Sequence, residues 1–189
     1  MSPSLRRKPL CPPGDDAVKK SVSWVSAAVF LGYVITLHAA DLSRSQDDVY
    51  LDNLQGSWLM DGTLGGKPVR YLADGQRVLG AGFLKLHMVD VGSPPQYEAE
   101  LFIGYDPKAD DFVAHWLDQF GAAGARVVAS GTRQGQRLVL HFPYAEGAFR
   151  DTFLWRPAST SWSLLLESQR ADGSWTTFAS YTLIRRNVR

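Results

Sequence analysis

The sequence predicts an all-β domain: a single antiparallel, up-and-down closed barrel of about ten strands. Three observations carry this. From Leu54 onward, short apolar-aromatic runs recur at even spacing, separated by glycine, proline, aspartate and asparagine-like turn chemistry. No apolar window sustains the three-to-four-residue spacing of an amphipathic helix. Aromatic residues make up 12% of the chain, with six tryptophans, and such side chains suit pleated, half-buried surfaces.

The strands are expected near 55–64, 69–79, 82–91, 97–105, 111–120, 125–132, 135–142, 148–156, 161–169 and 174–186. Gly65-Gly66, Gly80, Gly92-Ser93-Pro94-Pro95 and Asp106-Pro107 separate the first five. Gly121 to Gly124, Gln134-Gly135, Glu146-Gly147, Pro157 to Thr160 and Asp172-Gly173 separate the rest. Alternation assigns faces within them. Leu84, Leu86 and Met88 oppose Lys85 and His87; Leu138, Leu140 and Phe142 oppose Val139 and His141. Trp162, Leu164 and Leu166 oppose Leu165 and Glu167. One packed face and one wetter face result, and closing the sheet removes its unpaired edges. About ten strands leave an interior wide enough for side chains plus a small cavity.

Three segments precede or make up this domain. Residues 1–40 form an amino-terminal extension, residues 41–50 a polar lead-in, and residues 51–189 the barrel. Lys19-Lys20 is followed by a stretch from Ser21 to Ala40 without Lys, Arg, Asp or Glu, ending in Ala39-Ala40-Asp41. This order of positive, apolar and small residues reads as a secretory signal. It places the mature protein in the periplasm or outside the cell. The alternative is a membrane anchor formed by residues 21–40, since about 18 uncharged residues can span a bilayer. Residues 1–17 precede the usual basic start of a signal, which translation from Val18 would explain.

The formal charge of +1 argues against a nucleic-acid partner. Residues 41–189 hold 15 basic and 17 acidic residues, a net charge of −2. The single cysteine, Cys11, excludes an intrachain disulfide and zinc sites built from several thiolates.

Leu54-Gln55-Gly56-Ser57-Trp58 resembles the G-x-W opening of lipocalin-like, calycin-type barrels. That resemblance implies a basic residue of the last strand lying across the first-strand tryptophan. Arg185 and Arg186, in "YTLIRR", stand where such a partner belongs, so Gly56, Trp58, Arg185 and Arg186 are the structural signature. More narrowly, "RVLGAGFL", "GYDP", "HWLDQFG" and "DGSW" resemble an uncharacterised bacterial lipocalin-like family, a domain of unknown function, across roughly residues 50–186. The resemblance implies a fold and transfers no catalytic residue.

Candidate site residues come from the faces. Asp118 shares a side with Phe112, Ala114, Trp116 and Phe120. Facing inward, it would be an ionisable group among aromatics, fit to orient a ligand or to move a proton. The other reading puts Trp116 and Asp118 at the barrel mouth or against a loop. Tyr105 joins them as a ligand-binding candidate. Arg150-Asp151, Glu167 and Arg77 are candidates for an interior polar network, with Arg77 or Arg150 facing Asp118 or Glu167. A solvated surface pair is the plainer alternative. His87, His115 and His141 lie on three strands with no i, i+2 pairing, so no metal is expected. A haem barrel would want an axial histidine, and none follows His141. No P-loop, dinucleotide fingerprint, H-E-x-x-H or G-x-S-x-G motif occurs, and no cofactor is expected.

Three functions are left open. One is an exported barrel binding a small, largely apolar ligand inside. The second is a small enzyme pairing a buried Asp or Glu with Arg for acid–base chemistry, although no catalytic motif points to one. The third is a structural or partner-binding barrel without a ligand.

Overall fold

A computed structural model describes residues 44–186. The extension of residues 1–40, with its signal or anchor reading, lies outside them. Among the described residues no helix is long and apolar enough to cross a membrane.

Ten antiparallel strands close into one barrel. They are β1 (Gly56–Leu64), β2 (Lys67–Val78), β3 (Phe83–Asp90), β4 (Glu98–Asp106) and β5 (Asp111–Asp118). They continue as β6 (Val128–Gln134), β7 (Arg137–Phe142), β8 (Phe149–Arg156), β9 (Ser161–Gln169) and β10 (Trp175–Arg185). Each strand pairs with its sequence neighbours, and β10 returns to pair with β1, closing the cylinder. The ends of two predicted strands move inward. Residues 119–120 fall beyond β5, and β6 starts at Val128 because Gly124–Arg126 forms a 3₁₀ turn.

Alternation sets the core. The inward register holds Trp58 and Met60, Leu84, Leu86 and Met88, Leu101 and Ile103, all buried. Across the barrel it holds Phe112, Leu138, Leu140, Phe153, Trp162, Leu164 and Leu183, also buried. Packing of this kind is the main favourable term in folding.

The polar lead-in is more than a leader. It contains a short helix, α1 (Gln46–Tyr50), followed by a 3₁₀ turn, Leu51–Leu54. Ser45 caps α1 by accepting a hydrogen bond from the Asp48 N–H at 3.0 Å. Tyr50, Leu51 and Leu54 are buried, so this segment seals one end of the barrel. The indole N–H groups of Trp58 and Trp162 donate to Leu54 O at 2.8 Å and Asn53 O at 3.2 Å. They satisfy carbonyls that the end of a short helix leaves unpaired. Tyr50 donates its hydroxyl proton to Gln136 O at 3.0 Å, reaching the β6–β7 turn.

Charge fastens the same seal. The Arg77 side chain, only 9% exposed, bonds Asp48 and Asp52, each at 2.8 Å. Arg44 reaches Asp52 at 3.0 Å and also pairs with Asp48. Arg133 pairs with Asp47 at 2.6 Å and lies over the Tyr50 ring. Burial alone would raise the pKa of Asp52, but hydrogen bonds from Arg44 and Arg77 outweigh it and hold the group below its ordinary value. That contribution is present above the ordinary carboxylate pKa and is lost as pH falls through the depressed one. Arg77→Ala is therefore expected to cost about 2 kcal/mol, since it leaves Arg44 as the one remaining arginine against two partly buried carboxylates. The loss should be largest at neutral pH and shrink in acid, a trend that urea unfolding at pH 7 and pH 3 would read.

Gly56 explains the opening of β1. Its φ of +106° is strained for any side chain, and a Cβ there would sit 2.3 Å from Arg185 Nη1. With that space free, the Arg185 guanidinium lies 4.4 Å from the Trp58 ring centroid and donates to Gln55 O at 2.8 Å. Arg186 instead donates its backbone N–H to Ser57 O at 2.8 Å.

Candidate functional site

Opposite the seal, the inward register changes character. Leucines and methionines give way to tyrosines, a tryptophan and carboxylates, and several of these side chains are only partly covered. Trp116, Tyr97, Tyr144, Phe149 and Asp118 are all half-buried, whereas the apolar inward residues nearest α1, Trp58, Leu84, Ile103 and Leu138, are fully buried. This end is the mouth of the barrel.

Register places Trp116 beside Leu101, and Asp118 beside Ala99. Leu101 and Ala99 are both buried, so Trp116 and Asp118 face inward. The Trp116 indole N–H donates to Tyr97 Oη at 3.2 Å. Tyr97 in turn directs its hydroxyl at Asp118 Oδ2, 3.5 Å away. Asp118 Oδ1 accepts the Phe120 N–H at 3.0 Å, which fixes the start of the β5–β6 loop. Tyr97 meets Tyr71 edge-on at 5.8 Å, and Tyr71 meets Tyr181 at 5.9 Å. On the far wall Tyr144 stacks on Phe142 at 5.9 Å. Burial raises the pKa of Tyr71, Tyr97, Tyr144 and Tyr181, so all four are neutral phenols at ordinary pH.

The floor of the mouth is Asp151. It lies between Leu140 and Leu166 in the ladder, on the inward register of β8. It is 3% exposed. Its carboxyl makes no hydrogen bond to any described residue, and desolvation pushes its pKa up to about 8. Phe149 and Phe153 flank Asp151 on the same face of β8, and Tyr181 lies two strands away on that face, opposite Leu164. The sequence carried a signal for it: Phe149, Asp151, Phe153 and Trp155 alternate onto one face, with an acid among aromatics.

The other candidates fall elsewhere. Arg150 and Glu167 pair with each other at 2.7 Å, on the opposite face of β8 and β9 from Asp151. Arg150 also lies 4.4 Å from the Trp175 ring centroid. That is the surface-pair arrangement, and neither residue faces Asp118. Arg77 does not face it either, being committed to Asp48 and Asp52. Tyr105 sits at the sealed end, with its hydroxyl donating to Asp110 at 2.5 Å and its ring 5.1 Å from Phe112. Hydrogen bonding to Asp110 pushes its phenol up to about 12.

The three histidines outside the extension occupy the outer wall. His87 contacts Glu98 at 2.7 Å, His115 contacts Ala125 O at 2.7 Å, and His141 meets Trp175 edge-on. Among the described residues no group of three or more His, Cys, Asp or Glu converges. A hollow of about 330 Å³ opens over β5, β6 and β7, lined by Val113, Val128, Ser130 and His141. A smaller one, about 210 Å³, runs along Glu98, Glu100 and Gln119.

No protein-family model matches the chain, and no curated protein matches it. Among solved structures, the crystal structure of Rv2717c from M. tuberculosis is similar to it, with 15% sequence identity and a TM-score of 0.49 over 76% of this chain and 99% of that one.

Proposed function

We propose that this protein is an exported binding module that takes a small, largely apolar molecule at the mouth of its barrel. The observation that supports this is Asp151: a buried carboxyl on the inward register of β8, between Phe149 and Phe153 along the strand, with no hydrogen bond to a described residue. A buried acid without a partner is costly, and such groups concentrate where a ligand supplies what the protein lacks. The aromatic walls supply contact area, and the few polar groups supply orientation.

The lower half of the barrel is filled by its own side chains, Leu86, Leu101, Leu140 and Phe153 among them. A ligand is therefore confined to the half nearer the mouth and is modest in size. The acid–base reading finds less support, because the described arginines stand away from both Asp118 and Asp151.

Native mass spectrometry of protein purified from its own host tests the proposal. The expected result is a copurifying small molecule on the wild type that is reduced or lost on Asp151→Asn. A ligand at a hundred times its Kd should also stabilise the fold by about 2.7 kcal/mol. Absence of any adduct, with an unchanged melting temperature across a metabolite and lipid panel, would remove the proposal. Export has its own test: sequencing the mature amino terminus, expected to begin at Asp41.

A further inference from the structure

We infer that the molecule held at the mouth carries a protonated amine, with its ammonium group lodged between the Asp151 carboxylate and the faces of the surrounding tyrosines. The inference rests on the binding reading above and adds the chemical class of the ligand.

Its ground is the balance of charge on the inward register. In the half of the barrel nearer the mouth, that register carries three carboxyl groups: Asp90 of β3, Asp118 of β5 and Asp151 of β8. Against them, the basic strand residue of the inward register at this end is Lys67, the first residue of β2, exposed at the tip of the β1–β2 hairpin. Asp90 and Asp118 are partly committed, Asp90 accepting the Gln96 N–H at 2.9 Å and Asp118 the Phe120 N–H. Asp151 is not. A site with more carboxyl than basic groups favours a cation over an anion, and an ammonium group beside Asp151 would draw off the proton that desolvation keeps there.

The walls match the same chemistry. Tyr71, Tyr97, Tyr144 and Tyr181, together with Trp116, present π systems, whose faces attract ammonium groups. An uncharged hydroxyl could offer Asp151 a hydrogen bond but no counter-charge, and an anion would offer no counter-charge either. An ammonium group would give it both a counter-charge and hydrogen-bond donors, which a buried carboxylate requires.

The test titrates the full-length mature protein with three probes of matched shape: 2-phenylethylamine, 2-phenylethanol and phenylacetate. The readout is the indole N–H resonance of Trp116, identified from its absence in Trp116→Phe, with affinities taken from calorimetry. The amine is expected to bind at least about tenfold tighter than the alcohol, and the carboxylate weakest. Asp151→Asn should erase the difference between amine and alcohol. Tyr144→Leu, at a half-buried position that tolerates change, should weaken the amine more than the alcohol. If the alcohol matches or exceeds the amine while still shifting Trp116, the amine inference fails and the binding module stands. A preference for the amine that survives in Asp151→Asn would overturn the role given to Asp151. If no probe moves Trp116 at millimolar concentration, both the inference and the mouth as a binding site fall.

Discussion

Asp151→Asn is expected to make the protein more stable at neutral pH, by roughly 2–4 kcal/mol. The wild-type carboxyl has an ordinary pKa in the unfolded chain and one near 8 in the fold, where desolvation opposes its charge. Between those values the folded state holds a proton that the unfolded state releases. Stability from this group is therefore complete in acid, falls as pH rises from about 4 to 8, and is level above that. The amide mimics the protonated acid in shape and does not ionise, so the variant escapes the loss. A difference of about four pKa units would be worth on the order of 5 kcal/mol above pH 8, reduced by whatever relaxation the mouth allows. Thermal unfolding of both proteins at pH 4, 6 and 8 measures it. The curves should nearly coincide at pH 4 and separate steadily. Equal melting temperatures at pH 8 would mean that Asp151 is paired or hydrated after all. A residue that weakens the fold under working conditions fits a functional position better than a structural one.

The second large effect lies at the other end of the barrel. Gly75→Ala is expected to destabilise the protein by about 3 kcal/mol or more. A Cβ at Gly75 would stand 1.9 Å from Leu54 O, 2.8 Å from Leu54 C and 3.3 Å from Gln55 Cα. These are backbone atoms, with no flexible side chain to swing aside. The 3₁₀ turn must lift, and with it Leu51 and Leu54, both fully buried. The hydrogen bond from the Trp58 indole to Leu54 O would go as well. Gly82→Ala is the control. Its Cβ would approach nothing nearer than Leu79 O at 3.4 Å, so a change within about 0.5 kcal/mol is expected. Urea unfolding followed by tryptophan fluorescence compares the two. Similar midpoints would show that the turn is not seated on β2 as described.

These two positions mark where sequence reading succeeds and where it stops. The ten strands were legible because period-two alternation and turn residues are local signals, and a closed meander adds only neighbour pairings to them. The faces of Trp116 and Asp118 were legible as a pair for the same reason, but their inward direction needed the register with β4. The seal was not legible. Residues 41–50 look solvated because their acids are obvious and their partners, Arg77 and Arg133, are distant in sequence. Ser45 as a cap, and the spacing of Tyr50, Leu51 and Leu54, were the available hints. The choice at β8 shows how narrow the margin is. The sequence offers Arg150 and Asp151 together for an interior network, and the structure turns Arg150 outward to Glu167 and Asp151 inward. One residue of parity separates the outer wall from the floor of the mouth.

The ladder between β1 and β10 bears on how the chain folds. Every other neighbouring pair of strands is joined by a short connection and can form as a hairpin on a microsecond scale. The seam instead joins groups as far apart as Gln55 and Arg185, 130 residues along the chain. The entropy of closing so long a loop is recovered only when the final ladder zips. Until then both edges of the growing sheet stand unpaired, and a neighbouring nascent chain could add to either. The guanidinium that settles on Trp58 is thus a clasp fastened late, and the interval before it fastens is when the chain is most exposed to misassembly.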